Sequence, residues 1–426
     1  MQAVQHFISN FNSFIFILFM VLYAYQVFYV LAVFFKKREK KDPEKVVKHK
    51  FAFLIAARNE ASVIAQLIDS IHRQDYPSEL IRVFVIADNC TDNTAQVARD
   101  AGAVVYERNN KEKVGKGYAL DFGLKNIDRD FGDEKFEGIF IFDADNLLTK
   151  NYVEEMNKVF DEGYPVVTSY RNSKNYGTNW LTAGYSLWFL RESKYLNNSR
   201  MLLDTNCAVS GTGFLVNTEV FRENDGWHYT LLTEDIEFSV DCAVAGRKIG
   251  YAEAEFFDEQ PVTFKQSWSQ RMRWAKGFYQ VFGKYGGGLM KNWLLNSSFA
   301  CFDLIMTVFP ALFISLACIL ANIVVLIYAM FIPVANELVG LTLSSLGITV
   351  LNTYLTMFLM GVITTVTEWH KIDCTKGKKI RYLFTFPFFM FTYIPIAIAA
   401  LFKKVKWEPI QHNVTKKIED LQNNSN

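Results

Sequence analysis

Asp143-Ala144-Asp145 ends a run of four apolar residues, Ile139 to Phe142, in strongly hydrated groups. Two carboxylates one residue apart project to the same side of an extended chain, and they repel unless a cation lies between or beside them. Mg2+ and Mn2+ prefer oxygen ligands and share them with substrate phosphates, so Asp143 and Asp145 are expected to bridge such a cation to a diphosphate. Two more apolar runs end in the same way, in Ala57-Arg58-Asn59-Glu60 and in Asp88-Asn89. Singly, each suits a cap or a turn; together they predict one polar site.

Such a site needs a scaffold that brings those ends together. FAFLIAA, IRVFVIAD, AVVYE and GIFIFDAD read as strands, with helical patterns over 60–74, 91–100, 116–126 and 150–161 between them. Repeated βαβ units predict an α/β fold with a mostly parallel sheet covered on both faces, which accounts for strands that are continuously apolar. Ligands of such sheets bind beyond the carboxyl ends of the strands, where these acids lie.

The rest of the composition is that of a membrane protein. Half of the 426 residues are hydrophobic, whereas 44 acidic and 45 basic side chains nearly cancel and give no reason to expect nucleic acid as a partner. No charge occurs from Phe11 to Phe35, enough helix to cross a hydrocarbon core of ~30 Å, and Lys36 to Lys41 are mostly basic. This order predicts an uncleaved anchor with its basic end in the cytoplasm. Residues 304–332 and 338–366 are expected to span the bilayer. Segment 382–402, which holds Pro387 and Pro395 and is flanked by basic clusters on both sides, suits a re-entrant or interfacial path as well as a crossing. Six cysteines without a CxxC pair fit a reduced compartment and no structural zinc.

The expected organisation is an N-terminal anchor (1–40), a cytoplasmic α/β domain (41–265), an interfacial amphipathic helix (266–293), a C-terminal membrane region (294–402) and a polar tail (403–426). The chain is thus expected to be a multi-pass protein of the cell membrane. At 100° per residue, Trp268, Met272, Ala275, Phe278, Tyr279 and Phe282 share one stripe of the amphipathic helix, and Gln270, Arg273, Trp274 and Gly277 fall opposite. One face suits the membrane boundary; the other can carry polar groups to the site.

Asp88, Asp143-Ala144-Asp145, Thr233-Glu234-Asp235 and Gln270-Arg271-Met272-Arg273-Trp274 occur in the order of the D, DxD, TED and QxxRW motifs. With them the chain resembles the membrane-integrated family 2 glycosyltransferases of the cellulose, hyaluronan and poly-N-acetylglucosamine synthase type. The resemblance implies a GT-A-like fold and a UDP-sugar donor held by Ala57, Asn59, Glu60 and Asp88. It also implies a diphosphate held by Asp143 and Asp145, the metal ligands, with Lys116 of Val114-Gly115-Lys116-Gly117 beside it. Ser210-Gly211-Thr212-Gly213 is placed near the acceptor by the same resemblance.

Transfer to a hydroxyl requires removal of its proton as the bond to the anomeric carbon forms, and Asp235 is the expected general base. Glu234 would orient it or cap the following helix, and His228 is a weaker candidate base. Arg273 would steady the leaving diphosphate and Trp274 would stack on the acceptor. A base on one side and a cation on the other imply in-line displacement with inversion. Trp407 to His412 resembles a segment that covers the nucleotide in some synthases. The expected product is a growing polysaccharide; transfer of one sugar to a membrane lipid is the alternative, and a scaffold without chemistry a third.

Overall fold

The computed structural model describes residues 2–38, 45–331, 335–405, 412, 414–416 and 418–422. Two apolar helices, α1 (Gln2–Tyr23) and α2 (Tyr25–Phe35), precede an alternating unit. That unit starts with β1 (Phe51–Ala57), α3 (Ile64–His72), β2 (Ile81–Asp88), α4 (Thr94–Asp100), β3 (Val104–Arg108), α5 (Lys116–Phe131) and β4 (Gly138–Asp143). It continues through β5 (Leu147–Leu148), α6 (Tyr152–Asp161), β6 (Val166–Ser173), α7 (Trp180–Arg191), α8 (Asn198–Leu202), β7 (Phe214–Asn217), α9 (Thr218–Glu223), α10 (Glu234–Val244) and β8 (Ile249–Asp258). Next come α11 (Phe264–Asn296), α12 (Phe299–Val308), α13 (Pro310–Ala329), α14 (Ala335–Thr367), α15 (Lys376–Phe391), α16 (Tyr393–Phe402) and α17 (Ile418–Gln422).

The strands form one sheet in the order β3, β2, β1, β4, β7, β6, β8, β5. Strands β3, β2, β1 and β4 run parallel, as do β6 and β8, while β7 is antiparallel to both neighbours and β5 to β8. The continuously apolar strands β1, β2 and β4 are buried almost throughout, and α5 packs against β1 and β2. Phe53 of β1 stacks on Phe140 of β4 with ring centroids 4.5 Å apart, and both side chains are fully buried. Burial of one such ring stabilises by about 1.5–3 kcal/mol. The register then aligns the polar ends. Ala57 pairs with Ala87, and Ala56 with Asp143, so the residues after β1, β2 and β4 emerge side by side.

The Asp143-Ala144-Asp145 segment is not extended throughout. Strand β4 ends at Asp143, Ala144 and Asp145 form a turn, and the Asn146 amide donates to the Asp143 carbonyl. The alternation rule for strands therefore does not fix the Asp145 side chain, which turns inward and is buried.

Among the described residues, three helical segments are long and apolar enough to cross a membrane: His6–Phe35, Leu338–Thr367 and Lys376–Phe402. The expected single span over 304–332 is divided. Helix α12 ends at Val308 and α13 starts at Pro310, because proline has no amide to donate to the preceding turn and suits a first helical position. Within 382–402 the break falls at Thr392, and Pro387 lies inside α15. Arg271 of α11 caps that break by donating to the Phe389 carbonyl at 3.2 Å and to Thr392 Oγ1 at 2.6 Å. At the other flank Asp303 of α12 accepts from Arg200 Nε and from the hydroxyls of Tyr25 and Tyr29, which ties α2 and α12 to α8.

Candidate active site

The carboxyl ends of the sheet open into a cavity of about 440 Å³. Its first wall is the set of strand ends. Asp88 is buried and accepts from Arg108 Nη1 at 2.6 Å, an ion pair that fixes its orientation. Asp143 accepts from Lys116 Nζ at 2.5 Å, and that ammonium also donates to the Gly211 carbonyl at 2.6 Å. Lys116 is the first residue of α5, next to Gly117. A Cβ on Gly117 would lie 2.0 Å from the Tyr229 carbonyl oxygen, so only glycine lets α5 come this close to the 229–230 backbone.

Asp145, only 4% exposed, accepts from the Glu259 amide at 2.8 Å. Burial alone would raise its pKa; His412, Lys174, the Glu259 amide and Arg171 outweigh burial and hold it below the usual value. Glu60 lies beside it and is raised by burial, with His412 opposing that shift.

The second wall is the start of α10, where Thr233, Glu234 and Asp235 line the cavity. Burial first, and then the charge of Asp235, pushes Glu234 up to about 7. Burial also raises Asp235, which Lys116 and Arg273 oppose. The third wall is α11. Gln270, Arg273 and Trp274 line the cavity from that helix, and Arg273 Nη1 donates to the Leu232 carbonyl at 3.0 Å. Trp274 stands edge-on against Tyr185 and Phe189. The opposite stripe is apolar as expected: Met272, Ala275 and Tyr279 pack on Ala397 and Ala400 of α16. Phe278, from the same stripe, also reaches the cavity.

Ala57, Glu60, Asp88, Lys116, Asp143, Asp145, Gly211, Glu234, Asp235, Gln270, Arg273 and Trp274 thus share one cavity. Four sequence candidates are not among its lining residues. Asn59 has a left-handed backbone and accepts from the Thr91 amide at 2.7 Å, linking the turns after β1 and β2. Thr212 acts from behind, accepting the Asp143 amide at 2.9 Å and donating to Asn146 Oδ1 at 2.5 Å. Gly213 donates to the Ile141 carbonyl under the sheet. His228 is exposed in a separate cleft beside α5, with its ring against the Asn224 carbonyl, which leaves it outside the cavity as a base.

Several lining residues escaped the sequence reading. Arg171 of β6 donates to Asp258 Oδ2 at 2.6 Å and to the Ser210 carbonyl at 3.0 Å, and its guanidinium lies 3.6 Å from the Phe189 ring centroid. Asp258 and Glu259 follow Phe256-Phe257, the same passage from apolar run to acids that marks Asp143. His412 closes one side through a 2.9 Å contact from Nδ1 to Glu60, and Asp145 and Glu60 outweigh burial to raise its pKa to about 10. Trp407 to Gln411, the remainder of the expected covering segment, lie outside the described residues.

The donors around Asp143 and Asp145 are hard oxygens, which suit Mg2+ or Mn2+. Among the described residues no group of three or more His, Cys, Asp or Glu side chains is placed to hold an ion. A cation at this pair would therefore draw most of its ligands from phosphate and water, the usual habit of Mg2+.

Residues 49–277 match the family model described as "Glycosyltransferase like family 2". The chain belongs to this glycosyltransferase family. The match spans every motif quoted above. This glycosyltransferase is 26% identical over 371 residues to the "Probable glycosyltransferase YdaM" of Bacillus subtilis, covering 84% of this chain and 83% of that one. It is 24% identical over 251 residues to a β-monoglucosyldiacylglycerol synthase of Synechocystis, covering 57% of this chain and 51% of the relative. It is also 24% identical over 240 residues to a poly-β-1,6-N-acetyl-D-glucosamine synthase of Staphylococcus epidermidis, covering 54% and 55%. In these last two alignments the chain spans about half the length of the relative. The mannosyltransferase PcManGT from Pyrobaculum calidifontis, solved with GDP-mannose and Mn2+, shares the fold with a TM-score of 0.54 at 15% identity over 92% of this chain and 99% of its own.

Proposed function

We propose that this glycosyltransferase moves a sugar from a UDP-sugar to an acceptor hydroxyl with inversion at the anomeric carbon, and that it repeats the step to extend a β-linked polysaccharide at the cell membrane. One observation carries the reading: Asp145 and Asp235 line the same cavity, and the wall beyond Asp235 is built by α11 and by α16, part of an apolar segment long enough to cross a membrane.

Asp235 takes the proton of the attacking hydroxyl as the new C–O bond forms, and the bond from the anomeric carbon to the diphosphate breaks on the opposite face. Negative charge grows on the departing nucleotide, where Lys116 and Arg273 offer cationic donors. Mg2+ or Mn2+ at Asp143 and Asp145 would supply further positive charge to that leaving group. Glu234 shares its buried surroundings with Asp235 and keeps the pair from ionising fully at low pH. Gln270 Oε1 is buried with no hydrogen-bond partner among the described residues and is free to accept from a bound sugar.

Transfer to a lipid is the second reading, favoured by the apolar groups Leu196, Phe278 and Met390 in the cavity wall and by the likeness to the glucolipid synthase. Purified protein supplied with a divalent cation and separately with radiolabelled UDP-glucose, UDP-N-acetylglucosamine and UDP-glucuronate distinguishes them by product size. Long polymer supports repeated transfer. A single-sugar lipid supports the second reading, and no turnover of any donor contradicts both.

A further inference from the structure

One carboxylate in the cavity has no part in the chemistry above. Helices α7 and α8 form one continuous helical run, in which Glu192–Asn197 is a π-helical turn. Such π turns are rare, occur mostly as single-turn bulges inside α-helices, and are frequent at functional sites. Here Glu192 and Leu196 of that turn line the cavity.

The neighbours of Glu192 are already engaged. Arg171 donates to Asp258 at 2.6 Å and Arg200 to Asp303 at 2.7 Å, and among the described residues no basic side chain forms an ion pair with Glu192. Burial raises its pKa; the charge of Arg171 and a hydrogen bond with the Ser210 side chain pull the other way, and Asp235 is near enough to add to the rise. Glu192 is half-buried at the cavity wall, and a carboxylate there without an ion-pair partner has accepting oxygens to offer a bound ligand. Trp188, Trp274 and Tyr393 line the same cavity. Aromatic faces offer stacking surface to the C–H face of a sugar, and a carboxylate accepts from its hydroxyls.

We propose that Glu192 accepts a hydrogen bond from a second hydroxyl of the acceptor, beside the one that Asp235 deprotonates, so that the acceptor ends in a sugar and not in a lipid with a single free hydroxyl. This inference rests on the transferase reading above and selects its acceptor class.

The test uses full-length protein in detergent, with UDP-glucose and UDP-N-acetylglucosamine as donors and cellotetraose, chitotetraose or dioleoylglycerol vesicles as acceptors. Wild type transfers to an oligosaccharide. Glu192→Ala raises the acceptor KM about tenfold to a hundredfold, the worth of a hydrogen bond to a charged group, and leaves the donor KM unchanged. Glu192→Gln, which keeps one accepting oxygen, recovers part of the loss. Transfer to dioleoylglycerol alone overturns the inference while leaving the transferase reading intact, as does an acceptor KM unaltered in Glu192→Ala. A variant that loses donor and acceptor affinity alike has a structural role only and also overturns it. Wild type that turns over neither of these donors, nor UDP-glucuronate, removes the UDP-sugar transfer reading and the inference with it.

Discussion

The Cα of Gly277 stands directly over the side chain of Thr233: a Cβ built there would lie 2.4 Å from Thr233 Oγ1. The helix that carries Gln270, Arg273 and Trp274 is thereby seated on the turn that carries Glu234 and Asp235. Gly277→Ala forces the two apart, at about 1–3 kcal/mol for overpacking. Because misplacement by about 1 Å can cost 10²-fold, transfer is expected to fall far more than thermal stability does. Gly283→Ala, on the same helix with nothing within 4 Å, should change neither. Rates and melting curves of the two variants check this.

The pH profile follows from the raised carboxyls at 234 and 235. The base works only when ionised, and burial favours the protonated form of Asp235, with Lys116 and Arg273 opposing it and the neighbouring carboxyl at 234 interacting with it, so the acid limb of kcat/KM should lie above the ordinary range of an aspartate. Removing one charge lowers the other group's pKa. Glu234→Gln should therefore shift the acid limb of kcat/KM to lower pH; an unmoved limb would show that the pair does not govern it.

The pairing of Arg171 with Asp258 is a matter of stability. Both side chains are largely buried, and removing one leaves the other charge without its partner. Arg171→Ala is expected to cost about 3–5 kcal/mol. Arg171→Ala combined with Asp258→Ala should cost less than Arg171→Ala alone, which denaturation of the three forms would reveal.

Much of this arrangement was legible in the sequence because the groups concerned sit at the ends of regular elements. Asp88 and Asp143 each close an apolar run, and a parallel sheet brings such ends together. The α11 face was legible too, since 100° spacing separates Gln270, Arg273 and Trp274 from Met272, Ala275 and Tyr279. Arg171 was not, because it lies inside a strand and meets Asp258 only through the pairing of β6 with β8, 87 residues away. Asp145 misled for a related reason: strand alternation stops one residue before it. The division of 304–332 had a visible cause in Pro310, which a reading by hydropathy passes over.

A cation at Asp143 and Asp145 implies that chelation abolishes transfer. EDTA should remove activity and added Mn2+ or Mg2+ restore it. Asp145→Asn should raise the metal concentration needed for half-maximal rate. Equal rates with and without chelator would exclude this role for the pair.

The central claim, that the acid at 235 accepts the proton of the incoming hydroxyl in a cavity shared with the donor, is tested most directly by Asp235→Asn. Asparagine preserves size and loses the basic oxygen. The account predicts transfer from radiolabelled UDP-sugar reduced by about 10²–10⁴-fold, with UDP affinity, measured by calorimetry, within a few fold of wild type. Transfer persisting at the wild-type rate would contradict it.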